Sequence, residues 1–176
     1  MFANEVDALL NKVNTFGYHF ASLDIRQDSR VHHEAFMTLL KGAQKQGVVN
    51  KYVDYLQLDE AEKIEFLTTL KGDLSPESFS DELVNKTLGS IRAMQEIQTK
   101  NGQLGCHRYI ISNNQTAQNI FEVFAMIRLS NWEAPTVDVA PLFETITDLS
   151  IAPKVMDIVY SNPVSYTHLR AHETET

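Results

Sequence analysis

Three polar groups fall where this chain could do chemistry: Arg26, Ser112-Asn113 and Glu144, each closing a run of residues that reads as a β-strand. In open parallel sheets and in (β/α)8 barrels, reactive groups project from the carboxyl ends of strands, because the adjoining loops converge there. A cation, a polar pair and an acid at three such ends would face one site. Plainer roles compete with this one: Asp24 and Arg26 could form an ion pair, and Glu144 could cap the helix that follows it. The histidines are weaker candidates. His19 and His107 fall inside strand-like runs, where an imidazole can satisfy both nitrogens locally, and they read as packing residues. His32 and His33 follow Arg26 closely but suggest no chemical role of their own. Cys106 has no base beside it in sequence and reads as structural.

These residues need elements to position them, and the apolar period supplies the elements. Thr15 to Arg26 is rich in aromatic and aliphatic residues on both alternating faces, which predicts a strand buried on two sides. Phe36, Leu39 and Leu40 then stand at helical spacing. Asp59 and Glu62 form a capping pattern ahead of Ile64, Leu67 and Leu70, which predicts a second helix. Ser78 and Asp81 offer a cap for a longer one, whose stripe is Val84, Leu88, Ile91, Met94 and Ile97, ending near Asn101-Gly102. Gly105 to Ser112 reads as the second strand. From Thr116 a helix follows with the stripe Ile120, Val123, Phe124 and Ile127. Thr136 to Phe143 is the third strand, in which Pro141 is tolerable only near the end or at an irregularity. Asp148 to Tyr160 is the last helix.

This alternation predicts a helix-rich α/β fold with about three central parallel strands and extra helices outside the sheet. No repeat or flexible linker divides it. At 176 residues, 43% hydrophobic and 22% charged, the chain has the composition of one globular domain or of a slice from a larger one. Its net charge of -8 repels nucleic acid and anionic lipid, so a small anion could bind only where a local cation or a metal ion reverses the field. The single cysteine excludes an intrachain disulfide and a four-cysteine zinc site, in keeping with a reducing compartment. No apolar run approaches the roughly 20 residues that span a bilayer, so neither secretion nor a membrane partner is expected.

The segment FASLDIRQDS at 20–29, followed by His32 and Glu34, resembles a signature of the phosphoenolpyruvate carboxylases, and VAPLFETITDL at 139–149 resembles another. Between them GCHRYIISNNQTAQNIFEVF is similar to the intervening strand and helix of those enzymes, so the likeness is collinear from about Asn14 to Pro163. It implies a partial (β/α)8 barrel, a cytoplasmic enzyme that is usually a homotetramer, and the carboxylation of phosphoenolpyruvate by bicarbonate to oxaloacetate and phosphate. By the same resemblance Arg26 binds the substrate phosphate and Glu144 binds the divalent cofactor, Mg2+ or Mn2+. Physical chemistry agrees with both roles. A guanidinium is a planar fork that stays charged, and a hard divalent ion commonly takes one or two carboxylates, with water and substrate completing its shell.

Departures from the family pattern limit what the piece can do. Val31 stands where the family often has a basic residue. The family's essential histidine would lie upstream, and its second metal carboxylate, a nearby lysine and a mobile glycine- and arginine-rich loop would lie downstream. Residues 1–163 therefore read as part of a barrel domain, with Met1 an internal edge, incomplete and inactive when isolated. Residues 164–176 are set apart, because SYTHLRAHETET from Ser165 resembles a translated adapter oligonucleotide; His168 and His172, at metal-pair spacing, belong to that stretch. Two other functions stay open: another barrel enzyme acting on phosphoenolpyruvate or a related enolate, and a helical binding module without catalysis.

Overall fold

Short polar side chains decide where the helices of this protein begin. A computed structural model describes residues 2–16, 22–132 and 135–165. Its first helix, α1, spans Ala3–Phe16, and β1 spans Asp24–Asp28. Asp28 ends the strand and at the same time caps α2 (Ser29–Lys45), accepting from the Arg30 amide at 2.8 Å. After a single 3-10 turn at Tyr55–Gln57, Asp59 and Glu62 make a reciprocal capping box on α3 (Glu60–Thr69). Asp81 caps α4 (Glu82–Asn101), while Ser78 belongs to the 3-10 turn before it. Then come β2 (Arg108–Ser112), α5 (Ala117–Leu129), β3 (Asp138–Pro141) and α6 (Ile146–Ser161). Thr116 with Asn119, and Thr145 with Asp148, box the last two helix starts.

The three strands form one parallel sheet in the order β1-β2-β3, with Arg26 opposite Ile110 and Ile110 opposite Ala140. Helices cover one face of it. Tyr109 and Ile111 of β2 point into that layer with Phe36, Leu39, Leu88, Ile91 and Phe121, all of them buried. Each such side chain contributes roughly 1.5–3 kcal/mol on leaving water. Gln98 of α4 ties two strand beginnings together, its amide donating to the Cys106 carbonyl at 2.7 Å and to the Thr136 carbonyl at 3.0 Å.

Several expected boundaries move. Thr15 and Phe16 end α1 instead of opening a strand, and β1 starts at Asp24 and runs past Arg26 to Asp28. His19 lies outside the described residues. Burial on both faces is also wrong for β1: Asp24 and Arg26 are exposed, because their side of the sheet has no covering layer among the described residues. Gly105 closes a 3-10 turn, so β2 begins only at Arg108. Pro141 is the last residue of β3, where it was expected to be tolerated.

Candidate functional site

The uncovered face of the sheet brings the predicted pair together. Arg26 stands in the middle of β1 rather than at its end, and Glu144 stands in the turn between β3 and the Thr145 cap. Two strand spacings, roughly 10 Å, separate β1 from β3. The two long side chains close that gap: Arg26 Nη2 donates to Glu144 Oε1 at 3.0 Å, with the side chains 58% and 43% exposed. Neither plainer alternative is realised. Asp24 faces the Arg108 guanidinium at 3.9 Å, and Thr145, not Glu144, caps α6.

The turns beneath this pair are held from below. Leu142 donates its amide to the Ile111 carbonyl at 2.8 Å, and the Asn114 amide returns to the Leu142 carbonyl at 2.9 Å. Asn113 adopts a left-handed backbone at φ 53°, a conformation asparagine tolerates better than most residues, and its carbonyl accepts from the Ser29 hydroxyl at 2.6 Å. The Ser112-Asn113 pair thus joins the ends of β1 and β2 through its backbone. Asp28 is gripped by Arg30 through Nε at 3.0 Å and Nη2 at 2.8 Å, and these hydrogen bonds hold its carboxyl down at about 2. Asp28 closes β1, so this contact fixes a second guanidinium at the end of that strand.

Glu144 is a hard oxygen donor of the kind a divalent ion takes, and it fits the expected Mg2+ or Mn2+ as one ligand. Among the described residues, no three His, Cys, Asp or Glu side chains gather closely enough to hold a metal ion by themselves. Further ligands have to come from substrate, water or residues elsewhere.

The remaining candidates have structural partners. His32 is fully buried with Nε2 3.0 Å from the Tyr109 hydroxyl, and burial pushes its titration down to about 4. The same enclosure pushes Tyr109 up to about 12. His107 lies 3.9 Å from Asp138, and Cys106 is buried, its thiol raised by desolvation. One group escaped the sequence reading altogether. Glu122 is wholly buried in the apolar stripe of α5 and meets His33, Tyr55 and Gln118. A lone acid within the run IFEVFAMI was the available signal.

A model of the family described as phosphoenolpyruvate carboxylase matches residues 1–175. The phosphoenolpyruvate carboxylase of Gloeobacter violaceus is 31% identical over 177 aligned residues, which cover 96% of this chain and 18% of that protein. That of Parasynechococcus marenigrum is 32% identical over 169 residues, covering 91% and 16%. That of Thermosynechococcus vestitus is 30% identical over 183 residues, covering 97% and 17%. The chain therefore spans less than a fifth of the length of these relatives, 16–18%.

Proposed function

The chain belongs to the phosphoenolpyruvate carboxylase family, and from that membership we propose that it supplies one wall of an active site that carboxylates phosphoenolpyruvate with bicarbonate, giving oxaloacetate and phosphate. In this reading the three parallel strands are consecutive parts of a (β/α)8 barrel, and the uncovered face is the barrel's inner side. The parent enzyme is a cytoplasmic homotetramer. The observation that carries the proposal is the meeting of Arg26 and Glu144 at 3.0 Å across the carboxyl-end half of the sheet.

Each partner then has a separate task. Arg26 binds the substrate phosphate through its planar fork and holds the charge of the phosphoryl group as it moves to bicarbonate. Glu144 is one ligand of Mg2+ or Mn2+. The bound ion would supply Lewis-acid stabilisation of negative charge developing on a substrate oxygen. Until substrate and ion arrive, guanidinium and carboxylate neutralise each other, which keeps both extended over the sheet. The turns at Asn113 and Thr145 fix the backbone from which they reach.

The test is made in the complete parent enzyme, by following bicarbonate-dependent oxaloacetate formation. Arg26→Lys keeps the charge but loses the two-point geometry, and is expected to lower kcat/KM for phosphoenolpyruvate by about tenfold or more. Glu144→Gln is expected to weaken the metal dependence and turnover. Normal activity and metal affinity in that variant would remove Glu144 from the metal site. The 176-residue chain alone is expected to form no oxaloacetate, and measurable formation would overturn the view of it as one wall of a larger site.

A further inference from the structure

Glu122 is a carboxylate enclosed by the protein on the side of the sheet away from Arg26 and Glu144. Its Oε1 accepts from His33 Nδ1 at 2.8 Å, from the Tyr55 hydroxyl at 3.0 Å and from Gln118 Nε2 at 2.9 Å, while Oε2 has no protein partner. These four residues come from three separate stretches: His33 from α2, Tyr55 from the 3-10 turn leading into α3, and Gln118 and Glu122 from α5. A buried carboxylate is costly unless a positive group compensates it, and Tyr55 and Gln118 are neutral donors. Only His33 in this cluster can switch between a neutral and a charged partner, and its ring, 41% exposed, has access to protons from solvent.

We propose that the proton on His33 is a latch, fastening α2 to α5 through Glu122 and loosening that contact as pH rises. The hydrogen bond to Glu122 raises the proton affinity of His33 above that of an ordinary histidine, against partial burial and the charge of Lys63 on α3. Lys63 also sits over the Tyr55 ring, its Nζ 5.7 Å from the centroid, so α3 brings a positive charge to the same corner. Asp28 of β1 acts on His32 instead. The sign follows from linkage. Folded His33 keeps its proton where the unfolded chain has lost it, so its stabilisation is complete below the unfolded value of 6.5 and disappears as pH rises through the higher folded value.

Two measurements on the 176-residue chain decide the matter: amide hydrogen-exchange protection across α2, Ser29–Lys45, and titration of the His33 ring by NMR. Between about pH 6 and about pH 9 the protection factors should fall on the order of two- to fivefold, the scale of a partly exposed ion pair. In His33→Gln, which keeps a side-chain N–H for Glu122 but cannot titrate, this fall should vanish. In Glu122→Gln, His33 should return to ordinary histidine behaviour while Tyr55 and Gln118 keep an acceptor. An equal fall in the wild type and His33→Gln would overturn the latch. So would a wild-type His33 that titrates at or below an exposed histidine, a readout that stands even if His33→Gln does not fold.

Discussion

Arg26 and Glu144 act as each other's counter-ion, so removing one changes what the other can bind. An exposed pair of this kind contributes up to about 1 kcal/mol, and that energy opposes capture of an external anion by Arg26. Glu144→Gln in the parent enzyme should therefore tighten metal-free binding of inorganic phosphate by roughly two- to fivefold, measurable by calorimetry, even as it impairs the metal-dependent reaction. Loss of phosphate binding in that variant would mean that the carboxylate holds Arg26 in place rather than competing for it. The adjacent histidines His32 and His33 pull stability in opposite directions. Buried His32 stays neutral down to about 4 while an unfolded histidine takes a proton below 6.5, so its contribution is whole above 6.5 and shrinks as pH falls toward the folded value. The loss amounts to up to about 3 kcal/mol by pH 4. Combined with the alkaline loss at His33, this places maximal stability near pH 6.5, to be checked by urea unfolding across the range. His32→Asn should flatten the acid limb alone.

At the level of elements, the positions of Arg26 and Glu144 depend on connections that can be cut singly. Thr145 starts α6 one residue after Glu144, so Thr145→Ala should cost about 1 kcal/mol and loosen the carboxylate as well. Its checks are the thermal midpoint and the KM for metal in the parent enzyme. Gln98→Leu should cost about 1–3 kcal/mol, because two half-buried carbonyls lose their donor at the beginnings of β2 and β3. Sequence made much of this legible. The capping patterns at Asp59 and Asp81, the helix start at Thr116 and the apolar steps from Val84 to Met94 state locally what the structure does. It failed where tertiary packing decides. Alternating apolar residues before Arg26 suggested a two-sided strand, but α1 takes Thr15 and Phe16, and no described residues cover the face bearing Arg26. The stripe Phe2, Val6, Leu9, Val13 and Phe16 is helical in its spacing, and α1 forms there with none of its residues buried. Arg26 and Glu144 were identifiable as a pair of interest, whereas their direct contact, across 118 residues of sequence, was not. Glu122 was hidden because an acid in an apolar run has no local partner in sequence; its donors lie on other elements.

Over the whole molecule, what stands out is how much apolar surface faces water. None of α1 is buried, and Phe2, Val6, Leu9 and Leu10 are each more than half exposed. Apolar surface gathered in this way favours association. The isolated chain should therefore form concentration-dependent oligomers, visible by light scattering, and Val6→Glu with Leu9→Lys should reduce them without altering the circular dichroism of the remainder. An unchanged distribution of sizes would assign the association to another surface. The sheet itself is guarded at one rim by the residue that closes β3. The amides of Asp138 and Leu142 point toward β2, so alternation turns position 141 outward. Pro141 offers no N–H there. A stray strand from another molecule would find that rim one donor short, which disfavours amyloid-like growth from β3 while leaving its pairing with β2 intact.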